Sequence, residues 1–212
     1  MEIAWYGHSC FKLSERGKAT IVTDPFNDAI GYALPKLKAD VVTASHDAPG
    51  HSSYETVKGT RRIVDRPGEY EIGGVFIAGV ALHNLEVDPP KRNIAYIFDF
   101  DGLSVAHLGD LDHIPPQSLM EMLGTVHVAL VPVGGGRGLN ATQAVELINL
   151  IEPNIVIPMH FKATEHGLAH LDPLERFLKE MGMSRIHQEQ TFKITASGLP
   201  EQTQIVVLEI AS

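Results

Sequence analysis

The stretch Asp40-Val41-Val42-Thr43-Ala44-Ser45-His46-Asp47-Ala48-Pro49-Gly50-His51 is the most informative in this chain. Residues 41–44 read as a short, largely apolar strand that opens onto a loop holding two histidines. Loops at strand ends gather side chains from distant parts of a chain into one cleft, so a histidine placed there can meet partners far away in sequence.

The same arrangement recurs downstream. His83 follows an expected strand over 75–82, Asp110 follows one over 103–108, and His160 follows the run 155–158. Eleven histidines in 212 residues exceed ordinary usage. Neutral imidazole and carboxylate suit zinc, manganese or iron, and a catalytic metal keeps one position open for water. Such an ion lowers the pKa of its water to about 7, and a second ion about 3.5–4 Å away could share that water, so hydrolysis is the chemistry these ligands suit.

Outward from the central stretch, the first hundred residues read as short strands over 3–6, 10–13, 19–23, 61–64 and 75–82. Runs 94–100 and 103–108 flank Asp101-Gly102, a dipeptide that suits a tight hairpin. The second half alternates apolar strands (128–131, 155–157) with helices. Asn140 and Gln143 form a capping-box start for a helix through about residue 151, ahead of Pro153. Asp172, Pro173 and Glu175 make a similar start for a helix through about residue 181. The expected architecture is α/β: two mixed β-sheets packed face to face with outer helices, in a single domain over 1–212. No linker-like tract or short repeat breaks the chain.

Composition narrows the function. A formal charge of −9 gives no general reason to seek nucleic acid, which is held mainly by clustered Lys and Arg. The lone Cys10 allows no internal disulfide and suits a reducing compartment, as a buried small hydrophobe. Met1-Glu2-Ile3-Ala4-Trp5-Tyr6 lacks the basic segment and apolar run of a signal peptide, and no stretch approaches the roughly 20 apolar residues of a membrane span. A cytoplasmic protein with a small-molecule substrate is expected, nucleic acid and membrane are not, and association into a homo-oligomer is left open.

Tyr6-Gly7-His8-Ser9-Cys10-Phe11, Asp24-Pro25-Phe26, Gly109-Asp110 and Ile157-Pro158-Met159-His160 occur in the order found in metallo-β-lactamase-fold hydrolases, and the chain resembles that family from Met1 to about Phe177. Within it, the chain looks closest to the small branch that also resembles ascorbate-6-phosphate lactonase and, more distantly, ribonuclease Z. The resemblance implies a four-layer αβ/βα sandwich. In the family, the loop after the strand carries His-x-His-x-Asp-His. By register, His46 and His51 match its outer histidines, while Ala48 replaces the second histidine and Gly50 the aspartate. His83 then matches the third histidine, Asp110 the aspartate that bridges two metals, and His160 the final histidine.

The resemblance thus implies metal ligands at His46, His51, His83, Asp110 and His160. One or two divalent ions would bind at reduced occupancy, with zinc expected first and manganese or iron as alternatives. His8, Asp24 and His107 are expected close by, supporting the ligands or facing substrate, although a packed core histidine is the blander reading of His8 and His107. Gly134-Gly135-Gly136-Arg137-Gly138 is expected at the edge of the site, with phosphate contact through Arg137 as a second reading. His113, His127, His166, His170 and His187 are expected on surface loops or strand edges. The expected activity is metal-dependent attack of water on an ester, lactone or phosphodiester. The alternative is a catalytically impaired member of the fold, kept as a ligand-binding or interaction module after the changes at 48 and 50.

Overall fold

Consecutive strand side chains point to opposite faces, so Val41 and Val42 cannot both reach one core. In the computed structural model, which describes residues 1–32, 34–165, 167–183 and 188–211, they enter two. Val41 joins Ile3, Leu13 and Ile21 in a large apolar cluster, and Val42 joins Cys10, Val22 and Phe26 in a smaller one. Burial on both faces explains why this part of the chain reads as apolar runs with little alternation.

In chain order the main strands are β1 (Glu2–Trp5), β2 (Phe11–Ser14), β3 (Ile21–Thr23), β4 (Val41–Thr43), β5 (Arg62–Val64), β6 (Gly68–Ile72), β7 (Val75–Ala81), β8 (Ile94–Phe100), β9 (Leu103–His107), β10 (Val128–Pro132), β11 (Ile155–Met159), β12 (Phe192–Lys193) and β13 (Gln204–Ile205). They form a six-stranded sheet in the order β12-β1-β2-β3-β4-β5 and a seven-stranded sheet in the order β13-β11-β10-β9-β8-β7-β6. Each is mixed. β1, β2 and β3 pair antiparallel before β4 and β5 add on parallel, and β6 to β9 are antiparallel before β10, β11 and β13 continue parallel.

Both sheets contribute to the large cluster, and Tyr96 of β8 ties them together: its hydroxyl donates to the carbonyls of Ala44 (3.2 Å) and Val64 (3.0 Å) at the other sheet. The helices are α1 (Gln117–Glu121), α2 (Ala141–Ile151) and α3 (Leu174–Glu180). Leu147 and Ile148 of α2 and Leu174 and Phe177 of α3 are buried in that cluster. The smaller cluster is closed by Phe26, Ile30, Leu37 and Val57, from connecting segments that hold 3-10 turns and a short parallel pairing of Leu37–Lys38 with Val57–Lys58. This is the expected α/β sandwich of two mixed sheets.

The capping box forms as expected: the Asn140 side chain accepts from Gln143 N (3.0 Å) and the Gln143 side chain accepts from Asn140 N (3.1 Å). The hairpin turns at Asp101 and Gly102 with φ of 55° and 88°, the two left-handed residues of a primed turn. At α3, Asp172 accepts from Arg176 (2.5 Å) and does not cap. Among the described residues, no helix is long and apolar enough to cross a membrane.

Candidate metal centre

The candidate ligands stand on loops at one edge of the sandwich. The β1–β2 turn brings His8, the end of β3 brings Asp24, and the loop after β4 carries Ser45, His46 and His51. Asp110 follows β9 and His160 follows β11. Of five non-glycine residues with positive φ among those described, three are His8 (50°), Asp24 (40°) and His160 (53°). Such left-handed backbone costs roughly 1–3 kcal/mol at each position and persists where its surroundings impose it. At His8 they do: its carbonyl accepts from the Trp5 indole (3.1 Å) and from His160 N (3.0 Å), tying the first turn to the last ligand loop. Asp110 is reached over Gly109, where a Cβ would meet Asn93 Oδ1 at 2.3 Å and Ser45 Cβ at 2.6 Å.

Asp24 organises the central loop. Its carboxylate accepts from Ser45 N (2.7 Å), Ser45 Oγ (2.6 Å) and His51 Nδ1 (2.7 Å), while Ser45 Oγ lies 3.0 Å from His46 Nδ1. Burial works to raise the Asp24 carboxyl, but His107, His51 and Ser45 outweigh it and hold it at about 2. With Asp24 ionised, His51 carries its proton on Nδ1 and leaves the Nε2 lone pair for the cleft. Through Ser45, the same carboxylate favours that tautomer of His46. This is how second-sphere carboxylates prepare imidazoles for metal.

The rings of His8, His46 and His160 are neutral near pH 7. Burial, reinforced by His51, brings His46 down to about 4. Burial brings His160 to about 4 despite Asp110, and holds His8 well below its ordinary value with help from His160, His51 and His46. Asp110 is held below the usual carboxylate range, its burial outweighed by His160, His51 and Lys91.

Two sets of possible ligand atoms lie within 4.8 Å of one another: His8, His51 and His160, and His46, His51 and Asp110. His8 Nε2 is 3.2 Å from His51 Nε2, and His160 Nε2 is 3.3 Å from Asp110 Oδ1. Ligands at about 2.0–2.1 Å around a tetrahedral ion stand roughly 3.3 Å apart. Among the described residues, Asp110 Oδ1 and His160 Nδ1 are buried without a hydrogen-bond partner, a costly state for polar atoms unless something else satisfies them. Neutral rings, spacing and orphaned atoms all suit a divalent cation.

His83 belongs to neither set of ligand atoms; its Nδ1 is engaged by the Asn93 backbone, 2.9 Å from the carbonyl oxygen and 3.0 Å from the amide nitrogen, which leaves its Nε2 open. His107 is fully buried. Its Nε2 donates to Ser9 O (2.8 Å) and its Nδ1 accepts from Gly109 N (3.2 Å), so it positions the loops that carry His8 and Asp110. His113 and His127 pair locally with Asp112 (2.9 Å) and Ser104 (2.8 Å), and His166 and His187 lie outside the described residues. His170, expected on a surface loop, is exposed and lines the cleft.

Sequence reading passed over Lys91. Its ammonium lies 3.0 Å from Asp110 Oδ2 and donates to the carbonyls of Asp110 (2.7 Å) and Arg137. Nothing in Pro89-Pro90-Lys91-Arg92 signals that role. The cleft itself encloses about 430 Å³, within the range of small-molecule sites. His46, His51, Asp110 and His160 lie along its lining, with Lys91, Arg92 and Arg137 as its basic side chains.

A family model described as a beta-lactamase superfamily domain matches residues 2–160. A UPF0173 protein of Pyrococcus furiosus is 29% identical over 203 residues, covering 88% of this chain and 93% of that one. A UPF0173 metal-dependent hydrolase of Thermoplasma volcanium is 27% identical over 204 residues, covering 82% and 88%. A crystal structure described as a proposed Zn-dependent hydrolase of the metallo-β-lactamase superfamily, from Thermotoga maritima, superposes with a TM-score of 0.81 at 37% identity, covering 98% of this chain and 97% of that one.

Proposed function

This chain belongs to the metallo-β-lactamase superfamily, among its metal-dependent hydrolases, and from that premise we propose that it hydrolyses a small anionic ester, lactone or phosphodiester. The ion, zinc first with manganese or iron as alternatives, would be held by His51, His160 and Asp110, with His46 at the same cleft. When bound, such an ion supplies Lewis acidity and lowers the pKa of water to about 7.

The chain's own residues do the rest. Asp24 holds the proton of His51 on Nδ1, and through Ser45 that of His46, so that both rings can accept at Nε2. Lys91 neutralises one oxygen of Asp110 and leaves the other facing His160. With Lys91 set against Asp110, Arg92 and Arg137 outweigh Asp47 and leave the cleft positive in a chain whose formal charge is −9, and that contrast supports an anionic substrate.

The observation that carries this reading is Asp110 Oδ1, buried, without a hydrogen bond among the described residues and 3.3 Å from His160 Nε2. Metal analysis of the purified protein after saturation with zinc, manganese or iron tests it. About one bound ion per chain is expected, and less than about 0.2 equivalent of every metal would end it.

Ala48 and Gly50 favour a second reading, a binding module with impaired chemistry. An ester-hydrolysing wild-type protein excludes it. An inert one that gains phosphodiesterase activity only on restoring histidine at 48 and aspartate at 50 supports it.

A further inference from the structure

Gly50 leaves a space in the ligand loop, and His8 fills it. A Cβ built on Gly50 would lie 3.1 Å from His8 Nε2, 3.4 Å from His8 Cδ2 and 2.9 Å from Ile30 Cδ1. The imidazole therefore stands beside the point where a side chain at position 50 would begin, 43 positions away in sequence from its neighbour His51. A side chain at 50 would have to push the Ile30 methyl and the His8 ring aside.

The ring is held there as a built feature. His8 is 3% exposed and sits on left-handed backbone whose carbonyl is pinned by Trp5 and by His160 N. Its centroid lies 4.8 Å from that of His51 and 4.2 Å from that of His160. Because His51 donates through Nδ1 to Asp24, its Nε2 presents a lone pair to His8 Nε2 at 3.2 Å. Two nitrogens at that separation either share a proton or, with the His8 proton on Nδ1, aim at one tetrahedral ion whose ligands are roughly 3.3 Å apart. His160 belongs with His8 and His51 to one set of possible ligand atoms, and among the described residues its Nδ1 is buried without a partner.

We propose that His8 is a metal ligand, completing with His51 and His160 a three-imidazole site in which the first turn of the chain supplies the group that position 50 lacks. Asp110 faces this site through Oδ1, while Lys91 occupies its other oxygen, so the chain binds a single ion. The inference rests on the metal-dependent reading above and deepens it.

Zinc binding by chelator competition, with folding followed by circular dichroism, tests the assignment without measuring activity. Wild-type protein is expected to bind one equivalent of zinc, and titration should shift the side-chain 15N resonances of His8 together with those of His51 and His160. His8→Ala should lose more than about 100-fold in affinity, beyond the 10–100-fold typical of a residue that merely orients a ligand. Gly50→Asp alone should not bind more tightly, because His8 and Ile30 crowd its Cβ. His8→Ala combined with Gly50→Asp vacates that space and should recover affinity to within about 10-fold of wild type.

A folded His8→Ala protein with wild-type zinc affinity, or His8 resonances unmoved by saturating zinc, overturns the His8 assignment and leaves the metal-dependent reading standing. Two equivalents of zinc overturn the single-ion site. A wild-type protein that binds no metal overturns both readings. Should His8→Ala fail to fold, the resonances of the wild-type protein and the affinity of the double variant decide.

Discussion

At the scale of single residues, Asp24 has the widest reach, because one buried carboxylate fixes which nitrogen of His51 carries the proton and, through Ser45, biases His46 as well. Asp24→Asn keeps the shape but removes the acceptor that His51 needs, and an amide NH2 facing Nδ1 favours the tautomer whose Nε2 is protonated. Zinc affinity should fall about 10- to 100-fold while circular dichroism stays unchanged. Undiminished affinity by chelator competition would show that something other than Asp24 sets the tautomer. The ends of the expected strands already placed His46, His51, Asp110 and His160 at one edge, since a strand end is a local property. His83 fits the same rule but stands outside both sets of ligand atoms, which depends on packing between chain segments that no local pattern records. His8 is the converse: the space above Gly50 is legible in sequence as a missing side chain, but which distant ring fills it is not.

At the scale of elements, the signals that succeeded were those satisfied within a few residues. Asn140 and Gln143 exchange hydrogen bonds across one turn, and Asp101-Gly102 supplies two left-handed residues where the hairpin needs them. Asn140→Ala removes the acceptor for Gln143 N and should lower unfolding free energy by about 1 kcal/mol in urea titration. Asn140 does not line the cleft, so zinc stoichiometry should not change; a variant as stable as wild type would show that packing of α2 alone positions this helix start. Elements that lacked such local signatures were missed. β6 alternates between exposed and half-buried residues at a sheet edge, and α1, five residues long, begins without a side-chain cap. At α3, the side chain of Asp172 pairs with Arg176, so its start depends on Pro173 and on burial of Leu174 and Phe177, not on a cap.

For the whole molecule, gathering neutral imidazoles into a buried cluster makes stability depend on pH in a direction fixed by their shifts. Burial lowers His8 and takes His46 and His160 from 6.5 to about 4, so between those values the unfolded chain binds more protons than the folded one. Stability of the metal-free protein should therefore decline as pH falls from about 6.5 toward 4, by roughly 3 kcal/mol for a fully buried ring such as His160 at the lower limit. Asp24, held at about 2 against an ordinary 3.8, acts in a separate window: the stability it contributes is present above about 3.8 and is lost as pH drops toward 2. Thermal unfolding of chelator-treated protein from pH 7 to 4.5 isolates the first window. A Tm that falls steadily across it is expected, and a flat profile would mean that these rings titrate in the folded protein as they do in the unfolded chain. Zinc should raise Tm at pH 7 and lose its effect in acid, since each imidazole must shed a proton to bind the ion. The same burial that prepares the cluster for a cation thus makes the metal-free fold sensitive to mild acid, which a core of purely apolar side chains would not be.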